Sequence, residues 1–197
     1  MQPITMSQFV DYVLTSGTSK LTAAKRIVSQ GADEQASDFY RPIREAIGDM
    51  HRAGLDTVVL DDLLASLVDK REQLLFFKVA SGYKKFLQQG KMTWFEPPMR
   101  DYPLGPLAVR VNPEVGLLIN GQPHAIKLYF RGDPLSPQRI VVTNQLMVDA
   151  LSTTWPTTVF AVLDVRRARL FRARPKPEVG ALLKAEALSL ASLWSAL

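Results

Sequence analysis

Through the first ninety residues, apolar positions recur at threes and fours, the spacing that gathers one face of an α-helix. Phe9, Val10, Val13 and Leu14 form the first stripe, with Ser7 placed to cap the helix and Gly17 to end it. Leu21, Ala24, Ile27 and Val28 mark a second helix, opened by Thr18-Ser19-Lys20 and closed by Gly31. A third starts near Ser37 or Asp38, holds Phe39, Ile43, Ile47 and Met50, and ends at Gly54. Pro42 falls in its first turn, where a missing N–H costs little. Leu63, Leu64 and Leu67 define a fourth segment. Residues 70–89 form a longer helix closed by Gly90, with Leu74, Phe77, Ala80, Tyr83 and Leu87 as its expected core stripe. His51, near the end of the third helix, suits a surface or capping role better than ligation.

From Lys91 the period changes. Pro97, Pro98, Pro103 and Pro106 punctuate residues 91–106, which breaks helix and predicts a connector. Strand-like runs follow at Leu107–Val111, Val115–Ile119 and residues 124–130. Asn112-Pro113-Glu114 is a turn, and Asn120-Gly121 is a hairpin signal because both positions tolerate positive φ. Residues 136–151 return to helical spacing, and Trp155-Pro156 stops them. Residues 157–163 read as a buried strand running on through Val165 towards Leu170 and Phe171. After Pro175 and Pro177, residues 178–197 make a last helix whose apolar side docks on the body, on a second copy in a homodimer, or on a protein partner.

The fold class expected is therefore α+β or α/β. A helical N-terminal region spans residues 1–90, a proline-rich connector 91–106, and a mixed-sheet core with a C-terminal helix 107–197, with residues 70–90 joining that core as one compact unit.

Composition narrows the chemistry. Cysteine is absent and only two histidines occur, which excludes disulfides, thiolate metal sites, a Cys nucleophile and a His-rich metal site. At 47% apolar, the chain has more core-forming residues than a disordered one. No apolar run approaches the ~18 residues of a membrane span. Residues 1–4 show no basic stretch leading into an apolar segment. A cytoplasmic protein with no membrane partner is expected. No Gly-rich phosphate loop, G-x-S-x-G elbow or HExxH motif is present.

The net charge of +5 is unevenly spread. Residues 1–100 contribute +1 and residues 101–197 contribute +4. Arg166, Arg167, Arg169, Arg172, Arg174 and Lys176 fall within eleven residues. Guanidinium forks suit phosphate, so the cluster is a candidate nucleic-acid surface. A charged edge strand protected from aggregation has the same composition. Residues 7–30 also fit a helical pair of the helix-turn-helix kind, although most such pairs are structural.

Three further positions draw attention. Lys127 interrupts an apolar strand, on the same face as Ala125 and Tyr129 by strand alternation. Lys127, Tyr129 and Arg131 would make a basic-aromatic strip suited to a nucleic-acid backbone, or a half-exposed sheet face. Asp164 ends a buried strand, where sites collect in α/β folds, and it also suits an ion pair with Arg166. Glu114 follows a proline in a turn, and Glu45 adds a carboxylate on the third helix. His124 faces the apolar side and reads as structural.

From the long helix onward the order α-β-β-β-α-β, with Glu114 before one strand and Lys127 in the next, resembles the core of the PD-(D/E)XK nuclease-like (restriction-endonuclease-like) superfamily. The resemblance covers residues 70–171. It places Glu114 at the first acidic motif and Lys127 at the lysine position, and Ala125 falls where the second carboxylate belongs. It implies a nuclease-like fold with a degenerate, inactive site and no cofactor. The active alternative is a metal-dependent nuclease with Glu114 and Asp164 on Mg²⁺ and Lys127 beside the attacking water. Three functions follow: a degenerate nuclease-like protein binding nucleic acid or a nucleic-acid-processing partner, an active nuclease, and a scaffold without either role.

Overall fold

The computed structural model describes residues 3–30 and 38–197. Gly31 and Ser37, expected to stop and start helices, lie outside them. The elements run β1 Ile4–Thr5, α1 Met6–Val13, α2 Ser19–Gln30, α3 Arg41–Arg52, α4 Val58–Ser66 and α5 Lys70–Leu87. They continue with β2 Met92–Phe95, β3 Arg100–Leu104, β4 Leu107–Val111, β5 Val115–Ile119 and β6 Gln122–Tyr129. The last are α6 Pro137–Leu151, β7 Val159–Asp164, a 3-10 turn Val165–Arg167, β8 Arg169–Arg172 and α7 Pro177–Ser195. The class is α+β, with helices leading into a mixed-sheet core and a helix at the C-terminal end.

Local chemistry sets the helix starts. Thr5, not Ser7, caps α1, through a reciprocal pair with Gln8 that satisfies two otherwise orphaned N–H groups. Asp69 accepts from the Arg71 and Glu72 amides at the head of α5. Ser136 does the same for Arg139 at the head of α6.

Five strands form the central sheet in the order β2-β5-β6-β7-β8, with β6 and β7 parallel and every other pair antiparallel. A parallel pair needs a crossover, and α6 supplies it. A second sheet, β1-β4-β3, pairs the chain's first strand with β4 in parallel. Counted over the central sheet alone, the α-β-β-β-α-β order holds as α5, β2, β5, β6, α6 and β7, with β3 and β4 of the second sheet inserted between β2 and β5. Its first strand is Met92–Phe95 and not Leu107–Val111, which belongs to the second sheet. Residues 91–106 are accordingly more than a connector, because they carry both β2 and β3.

The sheet buries both faces. On one side Ala125, Phe160 and Val162 pack with α1, α2, α6, α7 and the small sheet. On the other, Ile126, Leu128, Phe130 and Leu163 pack with α3, α4 and α5. Each fully buried Leu or Phe contributes roughly 1.5–3 kcal/mol. The α7 helix docks on the body through Leu183, Ala187 and Leu190. Lys20 of α2 pairs with Glu186, and Tyr12 of α1 bonds Ser189 at 2.9 Å. Among the described residues no helix is long and apolar enough to cross a membrane.

Residues 157–171 do not form one strand. The chain leaves β7 at Asp164, takes the 3-10 turn, places Ala168 at φ 51° and returns antiparallel as β8, an edge of the sheet. The core stripe of α5 is rotated from the expected one. Phe76, Val79, Ala80, Tyr83 and Phe86 are buried, while Leu74 and Phe77 face outward. His51 is partly buried and lies 2.6 Å from the Tyr83 hydroxyl. Burial holds its imidazole down to a pKa of about 4 and pushes the Tyr83 phenol up.

Candidate functional site

Lys127 does not project from an open sheet face. The face it shares with Ala125 is covered, and its side chain is only 12% exposed. Its ammonium donates to Glu114 Oε1 at 2.5 Å and reaches the Asn112 carbonyl oxygen at 3.5 Å. Glu114, at the head of β5, is 10% exposed, and its Oε2 accepts from the Leu128 amide at 2.7 Å. The Arg44 guanidinium lies 3.7 Å away. The structure thus brings Glu114 and Lys127 together as a closed ion pair.

Asp164 is buried elsewhere. Its carboxylate takes the Arg167 guanidinium at 3.2 Å and the Leu135 amide at 3.5 Å. Its partner is Arg167, not Arg166. A magnesium ion needs free carboxylate oxygens converging on one point. Here both Glu114 oxygens are engaged, Asp164 is held by its own arginine, and Ala125 supplies no donor. Among the described residues no group of three or more His, Asp or Glu side chains is placed to hold a metal. Glu45 pairs with Arg41 on the outside of α3 at 2.8 Å. The donor set does not fit the magnesium centre of an active nuclease.

The expected strip of Lys127, Tyr129 and Arg131 is likewise tied down. Tyr129 packs against the core, and burial raises its phenol pKa against the opposing charges of Arg139 and Arg131. Arg131 donates to Asp11 Oδ2 at 2.7 Å, while Arg139 takes Oδ1 at 2.6 Å. Burial opposes the Arg131 charge, yet Asp11 outweighs it and the pKa is raised. Asp11 of α1 therefore clamps the end of β6 to the head of α6, a role that contacts 120 and 128 residues away conceal in the sequence.

The arginine-rich segment is different. Gly82 lets α5 approach the 3-10 turn so closely that a Cβ would collide with the Val165 carbonyl oxygen and meet backbone of Arg166 at 2.9 Å. That seam opens a cleft of about 490 Å³, whose lining includes Phe77, Lys78, Lys85, Arg166 and Arg167 and, among the described residues, no carboxylate. Lys78 and Lys85 are exposed, and neither has an ion-pair partner among the described residues. The Arg166 guanidinium lies over the Tyr40 ring and donates to its hydroxyl at 3.0 Å. Its Nε is buried and has no hydrogen-bond partner among the described residues. Arg167 also donates to the Gly132 carbonyl oxygen at 2.8 Å, which holds it at the rim.

Further along the same seam, Arg169 and Arg172 line a second hollow of about 380 Å³ with Phe86 of α5 and Gln89 just beyond that helix. Arg172 Nε donates to His124 Nε2 at 3.2 Å, so the His124 proton sits on Nδ1, facing the Gln122 carbonyl oxygen. Burial, together with the Arg172 charge, lowers the His124 pKa and favours that neutral form. Arg174 and Lys176 are exposed beyond β8. The local sequence pointed to the arginines. Lys78, Lys85 and Phe77 went unnoticed because helical spacing placed Phe77 in the core and lysines on a helix are ordinary. Compared with protein-family models, curated proteins and solved structures, the chain finds no match.

Proposed function

We propose that this chain is a catalytically degenerate nuclease-like protein that binds nucleic acid through the basic seam between α5 and the segment from Arg166 to Arg172. The observation that carries this reading is the cleft where Lys78, Lys85, Arg166 and Arg167 converge with no carboxylate among the described lining residues. Arg167 has the Asp164 carboxylate as partner, but Lys78, Lys85 and Arg166 have no ion-pair partner among the described residues, and a phosphate backbone would relieve their mutual repulsion. The α-β-β-β-α-β order and the neighbouring Glu114 and Lys127 support a nuclease-like origin. The closed Glu114–Lys127 pair and Ala125 support the loss of metal chemistry.

Charge reversal tests the reading. Lys78→Glu with Lys85→Glu removes two exposed cations that hold no other element in place. Binding of a labelled oligonucleotide at low salt should weaken at least tenfold, with thermal stability unchanged, and no cleavage should occur with Mg²⁺ or Mn²⁺. Equal binding by the reversed variant would contradict the proposed surface. Metal-dependent cleavage abolished by Lys127→Ala would favour the active enzyme instead.

A further inference from the structure

We infer that the cleft takes single-stranded nucleic acid, with one base stacked on Phe77 and the adjoining phosphate among the cations. This rests on the nucleic-acid reading above and adds the form of the ligand. Phe77 is 55% exposed although it is large and apolar, and it lies beside Lys78 in the wall of the cationic cleft. Its neighbours one turn apart on α5, Leu74 and Ser81, are exposed too. An outward phenylalanine next to cations offers a ring for a base face and charges for its phosphate, the combination by which single strands are held. A duplex keeps its base faces stacked inside and offers only edges and backbone to such a surface. The cleft volume of about 490 Å³ is within the range of small-ligand sites and suits one or two nucleotides rather than a groove-spanning contact.

The experiment compares the full chain with Phe77→Ala and Phe77→Trp, using a fluorescent fifteen-nucleotide oligothymidine and a blunt duplex of the same length. Wild type should bind the single strand at least tenfold tighter than the duplex. Phe77→Ala should lose roughly tenfold on the single strand, consistent with the worth of one stacked base. The same change should leave duplex affinity and the salt dependence as they were. Phe77→Trp should retain binding, and its added indole fluorescence should be quenched on titration. Unchanged single-strand affinity in Phe77→Ala, or a wild-type preference for duplex, would overturn this inference and leave the nucleic-acid reading standing. Absence of binding to both ligands at low salt would overturn the two together.

Discussion

Lys127 illustrates how a single residue can be conspicuous in sequence and yet have another role. A lysine within Ala-Ile-Lys-Leu-Tyr is expensive to bury unless its charge meets a partner. The Glu114 carboxylate provides one at 2.5 Å, and neither side chain is more than 12% exposed. Breaking one side of such a pair leaves a buried charge, whereas removing both with similar volume is far milder. Lys127→Met should therefore destabilise the protein by about 3 kcal/mol, the lower end for a buried pair because Arg44 and the Leu128 amide still serve Glu114. Adding Glu114→Gln should recover most of that loss in urea unfolding, and a neutral Lys127→Met would show that the pair carries no stability. Both positions could be picked out by local pattern. Their pairing could not, since it depends on the strand register that sets Val115 against Ile126.

At the scale of elements, the seam between α5 and the 3-10 turn depends on Gly82. Any side chain there must push backbone against backbone, so Gly82→Ala should cost about 1–3 kcal/mol and widen the cationic cleft. Gly48 is the internal contrast. It is also helical but has nothing within 4 Å of an added Cβ, and Gly48→Ala should stabilise by roughly 0.5–1 kcal/mol. Chemical denaturation of the two variants measures both. If Gly82→Ala matched Gly48→Ala, the tight seam would not exist in solution. Element order was legible from periodicity, but the prolines misled at residues 91–106. Pro103 is tolerated in β3 because that strand is the edge of its sheet, opposite Ala108, where a missing N–H leaves no ladder bond unmade. The turn at residues 165–167 was hidden for a different reason. Val165 and Leu170 are as apolar as a strand requires, and the reversal rests on Ala168 at positive φ, a conformation that an alanine does not advertise.

For the whole molecule, charge and fold come together in one place. Several arginines of the basic half are neutralised internally. Arg131 and Arg139 are held by Asp11, Arg110 by Asp101, and Arg167 leans on Asp164. Among the described residues, the cations left without carboxylates concentrate along α5 and the β7–β8 return, drawn from parts of the chain more than eighty residues apart. Composition could show a basic excess but not that Lys78 and Lys85 would join Arg166. The most direct measurement is the salt dependence of single-strand binding by the wild-type chain, followed by anisotropy between 50 and 200 mM salt. With one or two phosphates in the cleft and two more along the seam at Arg169 and Arg172, at about 0.7 counterions each, a slope of log K against log salt near −2 to −3 is predicted. A slope near zero, or no binding at the lowest salt, would contradict the account.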